Sequence, residues 1–231
     1  MRLVKGNVMR LRLSLAAGLV LVAAAGGWAA DLVVVEDWKR YALHAKGVPD
    51  GWEAPTFTTG RMDFTVVEND GHRVLHMRSQ GDSSQIAKDI KGKVNLKETP
   101  ILEWSWRVVE LPKGADSRRK ATDDQAGQLY VAWERFPKAV RSRIIGYVWD
   151  TTAPQGLIVK SEKTSMVTYV VVRSGPAELG KWLTERRNVV EDFKKIYGEE
   201  PDGPGAITLA IDSDDTKTSA EAFFGAISFK R

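Results

Sequence analysis

A segment near the middle of the chain alternates between apolar and polar side chains. Within residues 101–109 the apolar positions are Leu102, Trp104, Trp106 and Val108, and the polar positions between them are Glu103, Ser105 and Arg107. A period of two residues is typical of a β-strand that buries one face and exposes the other. The segment therefore predicts a sheet with one face turned towards a hydrophobic core.

Eight further segments predict strands. Asp70-Gly71 lies between the predicted strands 62–69 and 72–79 and is a type I′ hairpin signal, because both central residues of that turn need a positive φ. The other predicted strands span residues 32–38, 128–134, 144–150, 166–174, 206–212 and 220–229. So many strands predict a mainly β fold, a sandwich of two sheets of the jelly-roll type.

One segment has helical periodicity instead. Apolar residues recur at helical spacing from Leu179 to Tyr197, and Gly198 follows where helices commonly end. This pattern predicts one amphipathic helix over about residues 179–197. Its apolar stripe is expected to cover an edge or a face of a sheet.

The first 30 residues have the organisation of a secretory signal peptide. Residues 1–12 are basic, residues 13–25 are almost wholly apolar, and small residues follow. Cleavage is expected after Ala29, with Ala25 as the second choice, so that residues 30–231 form one mature domain. The apolar run is shorter than the roughly 20 residues that span a bilayer, and no membrane span is expected in the mature chain.

The cysteine content and the net charge limit the classes of protein to which this chain can belong. The chain has no cysteine, which excludes a lipid anchor on cysteine, a disulfide and a thiolate ligand, and we expect a soluble periplasmic or secreted protein. Four of the 34 Lys and Arg residues lie in the leader, and the remainder equal the 30 acidic residues. No nucleic-acid partner is therefore expected.

Several polar and aromatic side chains are candidates for a ligand site in loops and at strand ends. They are Arg118, Arg119, Asp123, Asp124, Tyr147, Trp149 and Arg173. Sugar-binding sites combine flat aromatic faces with placed polar groups, which is the basis of this choice. The alternatives are a loop whose charges neutralise each other, aromatic rings in the core, and a buried Arg–Asp bridge that fixes the helix.

A second candidate is a cation site in the acidic loop after the strand 206–212. Asp212, Asp214 and Asp215 bring three carboxylates together, and Ca²⁺ takes 6–8 oxygen ligands. The EF-hand spacing is absent, and an Asx turn between two strands explains the same residues equally well. A structural calcium is the one cofactor that the sequence suggests.

Recognisable catalytic motifs are absent from the sequence, including HExxH, GxSxG and the phosphate-binding loops. A glycan hydrolase or lyase remains an alternative. Such enzymes need two carboxylates about 5–9.5 Å apart, and the chain has acidic residues that could form such a pair. Asp123 or Asp124 with Glu103 or Asp212 would be the pair.

Several stretches along the chain together resemble one known family. They span residues 100–107, 123–124, 129–131, 147–149, 173–175, 179–182, 187–189, 192–193, 212–216 and 220–222. Taken together they are similar to domain of unknown function 3047, a family of exported bacterial proteins. The resemblance covers almost the whole predicted mature chain and implies export, but no established activity.

A more distant resemblance concerns the two ends of the domain. Residues 35–38 with 51–52, and residues 222–229, are similar to the first and last strands of jelly-roll carbohydrate-binding modules. The sequence thus favours an exported, non-catalytic β-sandwich that binds a glycan or another polar envelope ligand. A third alternative is a structural or interaction protein of the cell envelope, and the sequence leaves the oligomeric state open.

Overall fold

The computed structural model describes residues 32–55, 60–137 and 141–231. The predicted signal peptide and its cleavage site lie outside the described residues. The strands are β1 (Leu32–Glu36), β2 (Asp63–Asn69), β3 (His72–Gln80), β4 (Ser83–Asp89), β5 (Ile101–Glu110), β6 (Gly127–Trp133), β7 (Arg143–Asp150), β8 (Ile158–Lys160), β9 (Val167–Ser174), β10 (Leu183–Asn188), β11 (Ala206–Asp212) and β12 (Ser219–Lys230). A 3-10 turn spans Lys120–Thr122, and the helix α1 spans Val189–Tyr197.

The strands form two sheets of six. The first sheet has the order β10-β5-β12-β3-β2, with β1 also paired to β12. The second sheet has the order β4-β11-β6-β7-β9-β8, and its β7–β9 pair is parallel. The prediction of a jelly-roll-like β-sandwich with a helix is confirmed, and so is the hairpin turn, because φ is 50° at Asp70 and 78° at Gly71.

Aromatic residues from both sheets meet in the core. Trp104 of β5 contacts Tyr147 of β7 with ring centroids 5.3 Å apart, and Trp106 contacts Trp149 at 5.8 Å. All four are at most 1% exposed. Because alternate residues of a strand face opposite sides, β5 places Glu103, Ser105 and Arg107 on the outer face of the first sheet.

The predicted helix over residues 179–197 is only half correct. Residues Leu183–Asn188 form strand β10, which pairs along the edge with β5, and α1 begins at Val189. Asn188 caps α1 by accepting hydrogen bonds from the backbone of Val190 and Glu191. Phe193 then packs on Trp133 with ring centroids 4.7 Å apart, so α1 covers one end of the sandwich.

Within the described ranges, no helix is long and apolar enough to cross a membrane. The loops that carry the predicted site residues lie at the end of the sandwich opposite α1, where β5, β7 and β11 finish and β6 and β12 begin.

Candidate functional site

The two arginines of the loop before β6 pair within their own loop. The guanidinium of Arg118 donates two hydrogen bonds to Asp116, at 2.8 and 2.7 Å. Arg119 approaches the same carboxylate at 3.8 Å. Arg118 and Arg119 are therefore part of a locally neutralised loop, the alternative that the sequence left open for them.

Asp123 lies under the surface and not at a binding face. It is 2% exposed, and its carboxylate accepts hydrogen bonds from Gln125 at 2.7 Å and from the Tyr169 hydroxyl at 3.1 Å. Burial raises the pKa of Asp123 to about 6, although the hydrogen bond from Gln125 and the charge of Lys163 act in the opposite direction. A ligand could reach this carboxylate only after the surrounding loops had moved.

Asp124 joins the predicted acidic loop to the loop before β6. It is fully buried, and its two carboxylate oxygens accept hydrogen bonds from the backbone of Asp215 at 3.1 Å and of Thr216 at 2.7 Å. Carboxylate oxygens of Asp124, Asp214 and Asp215 all lie within 4.8 Å of one another. We call these three residues the carboxylate cluster.

Asp212 stands beside the cluster and not in it. Its carboxylate accepts a hydrogen bond from the backbone of Asp214 at 3.2 Å, which is the Asx-turn geometry that was the alternative to a metal site. Burial, together with the neighbouring Asp214 and Asp124, raises the pKa of Asp212 far above its ordinary range. Asp212 therefore lies outside the group of three close carboxylates, and Asp124, which the sequence did not assign to the cation site, belongs to that group.

The donor set of the carboxylate cluster fits a hard cation. It consists of oxygens alone, as Ca²⁺ prefers, and the buried Oδ1 of Asp214 accepts no hydrogen bond. However, the ammonium group of Lys163 forms an ion pair with Asp215 and lies 4.0 Å from Asp214. Lys163 thus supplies positive charge to the same carboxylates, and the calcium site stays a prediction.

The prediction that Tyr147 and Trp149 offer an aromatic face to a ligand is wrong. Both residues alternate to the inner face of β7, where they are 0% and 1% exposed. The Tyr147 hydroxyl donates to Asp192 at 2.9 Å, and the Trp149 indole donates to the Gly175 carbonyl at 3.1 Å. Both rings are core residues with satisfied polar atoms.

Arg173 also forms ion pairs within the protein. Its guanidinium bonds Glu185 at 2.7 and 3.2 Å and Glu178 at 2.7 Å. The Arg–Asp bridge that the sequence offered as the alternative does exist, between Arg187 and Asp192 at 2.5 and 2.9 Å. These ion pairs connect β9 to β10 and α1 to β10, and the two carboxylates of Glu178 and Glu185 neutralise the charge of Arg173.

The hydrolase alternative loses the two carboxylate pairs that contain Glu103. Glu103 lies on the outer face of the first sheet and is paired with Arg186 and Lys230. Asp123 and Asp124 belong to the loop that leads into β6 of the second sheet. Packed sheets are separated by about 10 Å, so Glu103 cannot face either of them across a 5–9.5 Å gap.

A groove that the sequence did not predict crosses the outer face of the first sheet. Its volume is about 740 Å³, and Ser105, Gly225 and Ala226 belong to its floor. Half-buried Trp182 and exposed Thr184 line it, together with residues of the hairpin tip and of the loop after β1. We call it the Trp182 groove.

The β2–β3 hairpin tip forms one wall because it reaches across the sheet. Asn69 accepts hydrogen bonds from the Trp182 indole at 2.8 Å and from Arg107 at 3.2 Å. Arg107 also lies 3.6 Å from Asp70. Since β3 and β12 separate β2 from β5 in the sheet, these contacts require the tip to pass over the outer face.

The groove could not be predicted from the sequence, because Trp182 lies within the predicted helix 179–197 and fits its buried apolar stripe. In the structure Leu183 packs against the core and Glu185 is buried, so Trp182 and Thr184 face outward by strand alternation. The alternation was hidden because the buried position 185 carries a charged residue. Its pairing with Arg173 explains that exception.

Solved structures with a similar fold include two carbohydrate-binding modules of Clostridium thermocellum. The family 11 module, solved with a beta-1,3-1,4-mixed-linked tetrasaccharide, has 7% identity and a TM-score of 0.43, covering 86% of this chain and 95% of that one. The family 30 module has 12% identity and a TM-score of 0.43, covering 81% and 95%. The K2 cleaved adhesin domain of Lys-gingipain has 8% identity and a TM-score of 0.43, covering 87% and 99%.

Such low identities leave the ligand to be argued from the residues of this chain. No curated protein matches the chain. A family model does match it over residues 50–228, which is most of its length. The chain therefore belongs to the family described as protein of unknown function (DUF3047).

Proposed function

We propose that this protein is an exported glycan-binding β-sandwich that holds its ligand in the Trp182 groove. Export rests on the predicted signal peptide, and binding rests on the groove. One observation carries the proposal: a half-buried indole and small polar side chains share an open groove on one sheet face.

The chemistry of the groove suits a sugar chain. An indole presents an apolar face to the apolar side of a pyranose ring, while hydroxyl and carboxylate groups fix its orientation. Ser105 and Thr184 supply hydroxyl groups. Gly225 and Ala226 have the smallest side chains and therefore leave space for a ligand above the sheet. The volume of about 740 Å³ lies within the range of about 300–1,000 Å³ that is usual for ligand sites.

The position of Trp182 is fixed before any ligand arrives. Its indole nitrogen donates to Asn69, and its ring lies 6.5 Å from that of Phe223. A side chain that is already held loses little conformational entropy on binding, which favours affinity. The contacts of Asn69 therefore contribute to the site through Trp182.

Titration calorimetry with a panel of neutral and charged polysaccharides tests the proposal. We expect Trp182→Ala to weaken binding of the responding glycan at least tenfold, which corresponds to about 1.4 kcal/mol. Phe136→Ala is the matched control, because Phe136 is 86% exposed and does not line the groove. Melting temperatures of both variants show whether they fold.

Ala226→Arg provides a second variant that leaves Trp182 in place. Ala226 is exposed on the groove floor, so a long side chain there should fill the groove without opening the core. Equal affinity of the wild type, Trp182→Ala and Ala226→Arg for the glycan would refute a site in this groove.

A further inference from the structure

Arg73 is a cation of the Trp182 groove that has no carboxylate partner among the described residues. It belongs to β3, is half-buried and lines the groove. Its guanidinium bonds two backbone carbonyls instead of an acidic side chain. A half-buried charge without a counter-charge has lost part of its hydration and gains no ion pair in return. The charge of Arg73 is therefore available to a ligand.

The two backbone carbonyls fix one end of the Arg73 guanidinium. Nη1 donates to the carbonyl of Lys39 at 2.8 Å and to that of Tyr41 at 2.6 Å. Nε and Nη2 form no hydrogen bond with any part of the chain that the structure describes. These two nitrogens form one edge of the guanidinium, and such an edge binds both oxygens of a carboxylate.

The loop that holds Arg73 is itself anchored to the groove floor. Trp38 is 0% exposed, and its indole nitrogen donates to the carbonyl of Gly225 at 2.8 Å. Gly225 belongs to β12 and lines the groove. Lys39 and Tyr41 follow Trp38 in the same loop, so their carbonyls hold the guanidinium in place before a ligand arrives. A side chain positioned in advance loses little conformational entropy on binding.

The same hairpin connects Arg73 to the aromatic ring of the groove. Asn69 and His72 are the last registered pair of the β2–β3 hairpin, and the pair before them is Glu68 with Arg73. Asn69 accepts the hydrogen bond of the Trp182 indole at 2.8 Å. The hairpin tip thus places an apolar ring and a cation in the lining of one groove.

Other titratable side chains also line the groove. Lys39 pairs with Asp37 at 3.5 Å, and His72 is exposed. Glu68 is exposed and lies opposite Arg73 in the strand register, but it forms no ion pair with Arg73. A ligand carboxylate on Arg73 would be repelled by Glu68. Glu68 therefore provides an independent test of the charge that the groove prefers.

We infer that the Trp182 groove selects a glycan chain that contains uronic acid residues, and that Arg73 is the residue that binds their carboxylates. This inference rests on the proposed function, because it names the ligand class of the same groove. The indole contacts the apolar face of a sugar ring, while Nε and Nη2 of Arg73 donate to the two carboxylate oxygens. A neutral hexose has a hydroxymethyl group in place of the carboxylate, and this group accepts no pair of charge-assisted hydrogen bonds.

The test compares oligosaccharides that differ only at C6. Hexasaccharides of β-1,4-linked mannuronate and glucuronate are titrated into the folded protein by calorimetry, beside hexasaccharides of β-1,4-linked mannose and glucose. The ionic strength is kept at about 0.15 M, because salt screens the attraction between exposed charges. We expect the uronate member of at least one pair to bind at least tenfold more tightly than its neutral counterpart.

Arg73→Gln should abolish this preference, so that both members of the pair bind with similar affinity. The matched control is Arg78→Gln, which removes an exposed arginine of the same strand that does not line the groove. This control should keep the preference. Melting temperatures show whether each variant folds, because Arg73 also joins the hairpin to the loop after β1. A purely structural role of Arg73 would not change the ratio of the two affinities.

Glu68→Gln provides a second variant that leaves Arg73 and its backbone contacts in place. Removing this carboxylate removes its repulsion of a ligand carboxylate, so the preference for the uronate chain should increase at least threefold.

The outcomes separate this inference from the proposed function. If the neutral chains bind as tightly as the uronate chains, or if only neutral polysaccharides bind, the acidic ligand is wrong while the groove stands as a glycan site. If Arg73→Gln keeps the preference, or Glu68→Gln does not increase it, the assignment of Arg73 is wrong. If no oligosaccharide or polysaccharide binds at all, the proposed function fails together with this inference.

Discussion

Glu36 shows how this protein accommodates a buried charge at the scale of a single residue. It is 4% exposed and accepts hydrogen bonds from Trp52 at 3.0 Å and from Lys88 at 2.7 Å. Burial alone would raise the pKa of Glu36, but the hydrogen bonds from Lys88 and Trp52 outweigh it and hold the pKa below its ordinary value. The charged form is thus favoured by folding.

Glu36→Gln should therefore destabilise the fold in a pH-dependent manner. Removing the charge leaves half-buried Lys88 without its carboxylate partner, and we expect a loss of about 3 kcal/mol in the free energy of unfolding at pH 7. A lowered pKa adds stability above the unfolded-state pKa, and this is lost as the pH falls below about 4. Urea unfolding of the wild type and of Glu36→Gln at pH 7 and at pH 3 measures this effect. If the difference in the free energy of unfolding between the two proteins is as large at pH 3 as at pH 7, this account is contradicted.

Lys163 allows a comparable test of the carboxylate cluster. Burial alone would lower the pKa of Lys163, but Asp215 and Asp212 raise it, so this cation is held by the cluster. Lys163→Met should lower the melting temperature, because Asp124, Asp214 and Asp215 then lack a counter-charge. Calcium should restore it and should raise the melting temperature of this variant more than that of the wild type.

The matched control for this experiment is Lys217→Met, which removes an exposed lysine two residues beyond Asp215. If neither EDTA nor calcium moves the melting temperature of the wild type or of Lys163→Met, the predicted calcium site is wrong. The cluster would then serve only to join two loops.

The residues themselves explain which site predictions failed. Tyr147 and Trp149 share a strand face, but the sequence does not show which face turns inward when β7 is apolar on both sides. The sequence places Asp123 and Asp124 in a loop, where acidic side chains are usually exposed. Both are buried, because neighbouring amide, hydroxyl and backbone groups donate hydrogen bonds to their carboxylates. Burial that depends on distant partners leaves no periodic signal.

At the scale of elements, strands with clear alternation were predicted well and polar edge strands were missed. The observed β5 and β11 begin where the alternation predicted them to begin, at Ile101 and Ala206. β4 was missed because Ile86 is its only large apolar residue, and β8 because it has only three residues. Edge strands need less apolar surface, so the hydrophobic pattern weakens there.

The junction of β10 and α1 gives the prediction for this scale. Asn188 ends the strand and caps the helix through Val190 and Glu191, so one side chain sets the position where the helix begins. Asn188→Ala should cost about 1 kcal/mol in the free energy of unfolding, whereas Asn188→Asp should be nearly neutral, because Asp is an equally good cap. Chemical unfolding of the two variants measures this, and equal losses would argue against the cap.

At the scale of the whole molecule, the sequence predicted the architecture, but the groove that we propose as the ligand site lies away from the loops that the sequence suggested. The acidic loops stand at one end of the sandwich, while the Trp182 groove lies on the outer face of the first sheet. The groove depends on the hairpin tip crossing two strands to reach Arg107 and Trp182, a contact between distant parts of the chain. No local pattern encodes that contact.

The most direct test of the central claim is to map the binding site by NMR. Backbone and indole signals of the folded protein are followed while the glycan that responds in calorimetry is added. We predict the largest shift changes at the Trp182 indole N–H and at the amides of Ser105, Thr184 and Ala226. Changes concentrated at Asp123, Asp124 and residues 212–216 instead, or no change with any glycan, would contradict binding in the Trp182 groove.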